Sequence, residues 1–153
     1  MRLGSPVHRF EGGIMASQSV LIVDDEVIWH RLLGRLLREL GYDVHTAASC
    51  SDGVRLAELH SPDCIILDFH LGDGDAVKVC SKLKANPKTA QIPVIVFSSD
   101  PAVEITAYTE CKAVCFVLKG STSIADLTAA IHDTLCPDMF RKPGTSGLKL
   151  QMP

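Results

Sequence analysis

Four short apolar runs in this chain each stop at a polar residue. Residues 20–23 stop at Asp24 and Asp25, 65–67 at Asp68, 94–97 at Ser98, and 116–118 at Lys119. Continuous Val/Ile/Leu runs separated by helix-like stretches are the pattern of parallel strands buried on both faces of a sheet. Parallel strands point their carboxyl ends to one edge, so residues far apart in sequence meet there, in the crevice where open α/β sheets bind ligands. Three carboxylates, a hydroxyl and an ammonium are therefore expected in one pocket.

The segments between the runs read as helices. Ile28, Leu32, Leu36 and Leu40 recur every four residues with Leu33 and Leu37 beside them, while Arg31, Arg35 and Arg38 take the opposite side. Gly41 follows at the usual C′ position. Residues 42–47 alternate polar and less polar side chains, as a strand at a sheet edge would. Ser51 or Asp52 can start a second helix, closed by Ser61-Pro62-Asp63, and Gly72-Asp73-Gly74 reads as a loop. Asp75 is a candidate N-cap for a helix with Ala76, Val79, Cys80 and Leu83 on one face. Asp100-Pro101 begins a short helix, and Ser121 or Ser123 caps a last one bearing Ile124, Leu127, Ile131 and Leu135. Strand-helix alternation five times over predicts an α/β fold, a doubly wound (βα)5 parallel sheet of five strands.

Composition narrows the function. The 153 residues suit one domain of ordinary globular make-up, 46% hydrophobic and 22% charged. A net charge of −3 argues against a direct electrostatic grip on nucleic acid or an acidic membrane. No apolar stretch reaches the roughly 20 residues that cross a bilayer, and the expected location is the cytoplasm. Six cysteines are spread over different elements with no C-x-x-C, so they read as reduced core thiols. His30, His45, His60 and His132 read as residues of solvated faces, and Trp29 reads as packing of the first helix or, one turn beyond Asp25, as a neighbour of the pocket. Residues 1–17 read as a flexible extension, 18–137 as the domain, and 138–153 as a tail with little to bury.

Like charges a few ångströms apart disfavour joint ionisation, so Asp24, Asp25 and Asp68 ask for a cation between them. An all-oxygen donor set suits a hard ion, and Mg2+, which keeps several waters, fits so sparse a pocket. A carboxylate placed like Asp68 can attack phosphorus, with metal and ammonium neutralising the equatorial oxygens. Ser98 can donate its hydroxyl to one of those oxygens.

The segments VLIVDDE, IILDFHLGDGD, PVIVFSS and FVLKG resemble the receiver domain of bacterial two-component response regulators, over approximately residues 19–135. The resemblance implies a flavodoxin-like receiver fold with strand order 2-1-3-4-5. It makes Asp68 the phosphoacceptor and gives Mg2+ to Asp24, Asp25, Asp68 and the backbone carbonyl of His70. Ser98, Lys119 and Phe116 become the phosphoryl-binding and switch residues, with Phe116 the aromatic rotamer switch. His70 and Asp100 stand at the family's rate-tuning positions. It implies a sensor histidine kinase or histidine phosphotransfer protein as donor. Signalling would pass through the surface of helix four, strand five and helix five, to a homodimer partner or another protein. Catalysis would extend only to the chain's own phosphorylation and dephosphorylation. Three positions depart from the family pattern: Gly72 stands where the acceptor loop usually has Pro, Asp75-Ala76 stands where Asp-Gly usually follows, and Gly120 replaces the Pro after Lys119. The competing readings are a phosphorylation-independent receiver-like binding module and, last, an aspartyl-nucleophile phosphohydrolase, whose second Asp would fall where this chain has His70.

Overall fold

Continuous apolar runs do become neighbouring strands. The computed structural model describes residues 7–10 and 13–137. Its strands are β1 (Val7–Phe10), β2 (Gly13–Ser17), β3 (Ser19–Val23), β4 (Asp43–Ala47), β5 (Cys64–Leu67), β6 (His70–Leu71), β7 (Gly74–Asp75), β8 (Val94–Ser98) and β9 (Cys115–Leu118). The helices are α1 (Val27–Glu39), α2 (Cys50–His60), α3 (Ala76–Ala85), α4 (Glu104–Thr109) and α5 (Ile124–Leu135), with a 3₁₀ turn at Pro101–Val103 before α4. The five central strands are parallel and ordered β4-β3-β5-β8-β9, the expected 2-1-3-4-5.

Period-two alternation along those strands divides the core between two faces. Leu21, Val23, Ile65, Leu67, Val94 and Val96 point to one side, against Ala57 of α2, Val79 and Leu83 of α3, and Ala107 of α4. Val20, Ile22, Ile66, Ile95, Phe97 and Val117 point to the other, against Leu33 and Leu37 of α1 and Leu127 and Ile131 of α5. Gly53 lets α2 lie close to the sheet, since a Cβ there would stand 2.9 Å from Val23 Cγ1.

Side-chain caps fix where the helices begin. Asp75 accepts from Lys78 N at 3.0 Å, Asp100 from Ala102 N at 2.9 Å, and Ser123 from Asp126 N at 3.1 Å. The second helix starts two residues earlier than expected, because Ser49 rather than Ser51 or Asp52 is the cap and accepts from Asp52 N at 3.1 Å.

Three further details differ from expectation. On α1 the buried residues are Leu33, Gly34 and Leu37, while Ile28 is 62% and Leu32 44% exposed. A four-residue step advances about 40° beyond a full helical turn, so a stripe spaced by four drifts off the packed face. His60 is exposed and His45 half-buried, but the two are not independent surface residues. Their rings stack at 3.8 Å, tilted by 7°, joining the edge strand to the end of α2. Within the N-terminal extension, β1 and β2 pair antiparallel, an element that no periodicity announced; residues 138–153 lie outside the described residues.

Candidate functional site

Register brings the strand ends level. Val23 pairs with Leu67, Leu67 with Val96, and Ser98 with Leu118, so the next residues, Asp24, Asp68 and Lys119, emerge together. Backbone bonds hold them: Asp68 N donates to Val23 O at 2.8 Å, Asp24 N to Ala47 O at 3.0 Å, and Lys119 N to Ser98 O at 2.8 Å. Asp24, Asp68 and Ser98 are buried, whereas Asp25 is exposed at the rim.

One oxygen from each of Asp24, Asp25 and Asp68 lies within 4.8 Å of the others. Lys119 Nζ stands 2.7 Å from Asp24 Oδ2, 3.3 Å from Asp68 Oδ2 and 3.3 Å from Glu26 Oε1, with its side chain only 5% exposed. Burial pushes the Asp68 carboxyl up to about 6, the charge of Asp24 adds to the rise, and Lys119 opposes it. Burial pulls the Lys119 ammonium down, but the hydrogen bond and charge of Asp24, then the charge of Asp68, leave it above its usual value. The Lys119 ammonium thus compensates part of the acidic cluster, and the donor set is all oxygen, as a hard divalent cation requires.

Two more pocket residues meet across its mouth. His70 Nε2 lies 2.9 Å from Asp100 Oδ2, both side chains partly open to solvent. An ionised carboxylate only accepts, so Nε2 carries the proton, and this hydrogen bond with that from Ala102 N holds the Asp100 carboxyl below its usual range. Ser98 Oγ accepts from Asp100 N at 3.2 Å, tying the hydroxyl to the same loop. Phe116 is half-buried against the half of the core that packs on α2, α3 and α4. Its backbone N donates to the Tyr108 hydroxyl at 3.0 Å, which covers a polar group on the edge strand.

Two contributors, Glu26 and Asp73, went unread in the sequence, and a third, Trp29, was legible there only as one of two alternatives. Glu26 directly follows the acidic pair and supplies a third carboxylate to Lys119. Trp29 belongs to the site: the Lys119 ammonium lies 5.3 Å from its ring centroid. Asp73, within the Gly-rich loop, accepts from Cys50 N at 2.7 Å and Ser51 N at 3.1 Å, so the loop is tied to the start of α2. Those backbone bonds lower its carboxyl to about 2.

A five-stranded doubly wound sheet with this acidic cluster and lysine at its carboxyl edge defines a receiver-type signalling domain. The sequence matches the response regulator receiver domain over residues 20–132, and the chain belongs to that family. It is 36% identical over 125 residues to the transcriptional regulatory protein PdtaR of Mycobacterium tuberculosis H37Rv, covering 80% of this chain and 58% of that protein. With the probable transcriptional regulator ycf27 of Cyanophora paradoxa the identity is 33% over 120 residues, covering 77% and 48%. The chain spans about half the length of these curated relatives. A putative response regulator from Chloroflexus aurantiacus superimposes with a TM-score of 0.71 at 26% identity, covering 78% of this chain and 98% of that one. The receiver domain of sensor histidine kinase PA1611 from Pseudomonas aeruginosa, solved with a magnesium ion in its active site cleft, shares the fold. Its TM-score is 0.67 at 22% identity, covering 77% and 97%. No helix among the described residues is long and apolar enough to cross a membrane.

Proposed function

We propose that Asp68 accepts a phosphoryl group from a phosphohistidine on a sensor histidine kinase or phosphotransfer protein. The observation that carries this reading is the placement of Lys119 Nζ, 3.3 Å from Asp68 Oδ2 and 2.7 Å from Asp24 Oδ2, beside an all-oxygen acidic cluster. A carboxylate oxygen of Asp68 attacks phosphorus; an O–P bond forms, the donor's N–P bond breaks, and the imidazole nitrogen keeps the electron pair. The Lys119 ammonium, freed in part from Asp68, pairs with a phosphoryl oxygen, and the Ser98 hydroxyl donates to another.

Asp24, Asp25, Asp68 and the backbone carbonyl of His70 would hold Mg2+, as supported by the donor chemistry and by the magnesium bound in the cleft of the PA1611 receiver domain. Bound there, the ion would neutralise charge on the transferring group. Catalysis is limited to the chain's own phosphorylation and the later hydrolysis. The added charge of about −1 to −2 biases the surface of α4, β9 and α5 toward a different partner affinity, with Phe116 turning inward as the switch. That surface would meet a second copy or another protein. The chain, with its net charge of −3, makes no direct nucleic-acid contact, and it spans about half the length of the relatives named as transcriptional regulators.

The test is stoichiometry. Incubation with Mg2+ and a phosphoramidate donor is expected to leave one equivalent of hydroxylamine-labile phosphate per chain. Sustained turnover of an added phosphate ester would contradict the proposal and favour a phosphohydrolase.

A further inference from the structure

A lysine followed by glycine has no ring to fix the chain beside it, and Gly120 adopts a φ of +85° with open space around its Cα. Lys119 is nonetheless among the most enclosed polar side chains of the pocket, 5% exposed. Two of its carboxylate partners, Asp24 and Asp68, are also the buried members of the cluster that would hold a cation, so they cannot alone keep the ammonium in place once that charge is shared.

The third carboxylate, Glu26, reaches Nζ at 3.3 Å from a side chain that is 57% exposed, and the other contacts of Nζ are aromatic. Its distances to the ring centroids are 5.3 Å for Trp29 and 5.2 Å for Phe97, within the range in which a ring face attracts a cation. The rings also brace each other, with centroids 4.9 Å apart and planes at 86°. Phe97 is buried in the strand that ends at Ser98, and Trp29 is half-buried in the first turn of α1, just beyond Glu26. We infer that Trp29, braced by Phe97, is a positioning residue that holds the Lys119 ammonium toward Asp68 where no proline follows the lysine. The consequence rests on the phosphoacceptor reading above, but the cradle itself does not.

The test compares Trp29→Leu, which keeps an apolar side chain but removes the ring, with Trp29→Phe, which restores a ring face. Two readouts are taken on the full chain: the rate of Asp68 labelling by acetyl phosphate with Mg2+, and proton exchange of the Lys119 ammonium followed by 1H–15N NMR. Trp29→Leu is expected to slow labelling about tenfold, equal to about 1.4 kcal/mol, and to speed ammonium exchange by a similar factor. Trp29→Phe is expected to stay within about threefold of wild type in both, and Mg2+ affinity within about twofold in all three proteins. Unchanged ammonium exchange in Trp29→Leu would overturn the inference, as would equal defects in the two variants or a matching loss of Mg2+ affinity. If wild type takes no phosphoryl group, the phosphoacceptor reading fails, and the exchange measurement still decides the cradle.

Discussion

His70 Nε2 and Asp100 Oδ2 stand 2.9 Å apart, bridging the start of β6 and the loop after β8. We propose that Asp100, its carboxyl held below the usual range by His70 and Ala102 N, orients the water that hydrolyses an aspartyl phosphate at Asp68. Asp100→Ala is expected to slow hydrolysis of the phosphorylated protein by about threefold to tenfold, read as loss of bound phosphate after the donor is removed. The double variant with His70→Ala should be no slower than the slower single one, since residues acting as a unit are non-additive. An unchanged hydrolysis rate in Asp100→Ala would remove Asp100 from that role.

The raised Asp68 carboxyl predicts how stability depends on pH without metal. Folded, it releases its proton near pH 6; unfolded, near the usual value of about 4. Between these values the folded chain binds more protons than the unfolded chain, so this group's contribution declines as pH rises from about 4 to about 6 and stays low above. Asp68→Asn, which cannot ionise, is expected to be about 1 to 2 kcal/mol more stable than wild type at pH 8 in EDTA, and to lose that advantage near pH 4. Urea melts at the two pH values check this; an advantage of equal size at both would contradict it.

Gly53 offers a packing test remote from the chemistry. Alanine favours helix by up to about 1 kcal/mol, but its Cβ would come within 2.9 Å of Val23 Cγ1, and overpacking a core costs about 1 to 3 kcal/mol. Gly53→Ala should therefore be destabilising by about 1 to 2 kcal/mol in urea melts. Because Val23 directly precedes Asp24, Mg2+ affinity should also weaken. A stabilised variant would show that α2 can withdraw from the sheet freely.

Tyr108 covers the exposed edge of the sheet, its hydroxyl accepting from Phe116 N. Removing the acceptor leaves an edge N–H open to water or to another chain. In Tyr108→Phe the Phe116 amide is expected to exchange its hydrogen at least about tenfold faster, with a global loss of about 1 kcal/mol. Unaltered exchange at Phe116 would mean that this bond does not protect the edge.

The four strand ends were readable because burial on both faces writes itself as unbroken apolar runs, and parallel topology then sends Asp24, Asp68, Ser98 and Lys119 to one edge. Caps were readable where a single candidate stood, as at Asp75 and Asp100, and missed where Ser49, Ser51 and Asp52 competed within one turn. The packed face of α1 was obscured because leucines lie on more than one of its sides, and only contact with the sheet selects Leu33 and Leu37. Contacts that join distant segments left no local mark: Glu26 reaches Lys119 across some ninety residues and Asp73 reaches back to the start of α2, whereas Trp29 was legible by its place one turn beyond Asp25. The His45–His60 stack is of the same kind, two unremarkable positions that only the fold places face to face.

The central claim is that Asp68 becomes phosphorylated, and intact-mass analysis after incubation with Mg2+ and a small acyl-phosphate donor tests it most directly, with Asp68→Asn treated in parallel. The account predicts a gain of one phosphoryl group in wild type and none in the variant. No gain in wild type with Mg2+ bound, or an equal gain in both proteins, would contradict it.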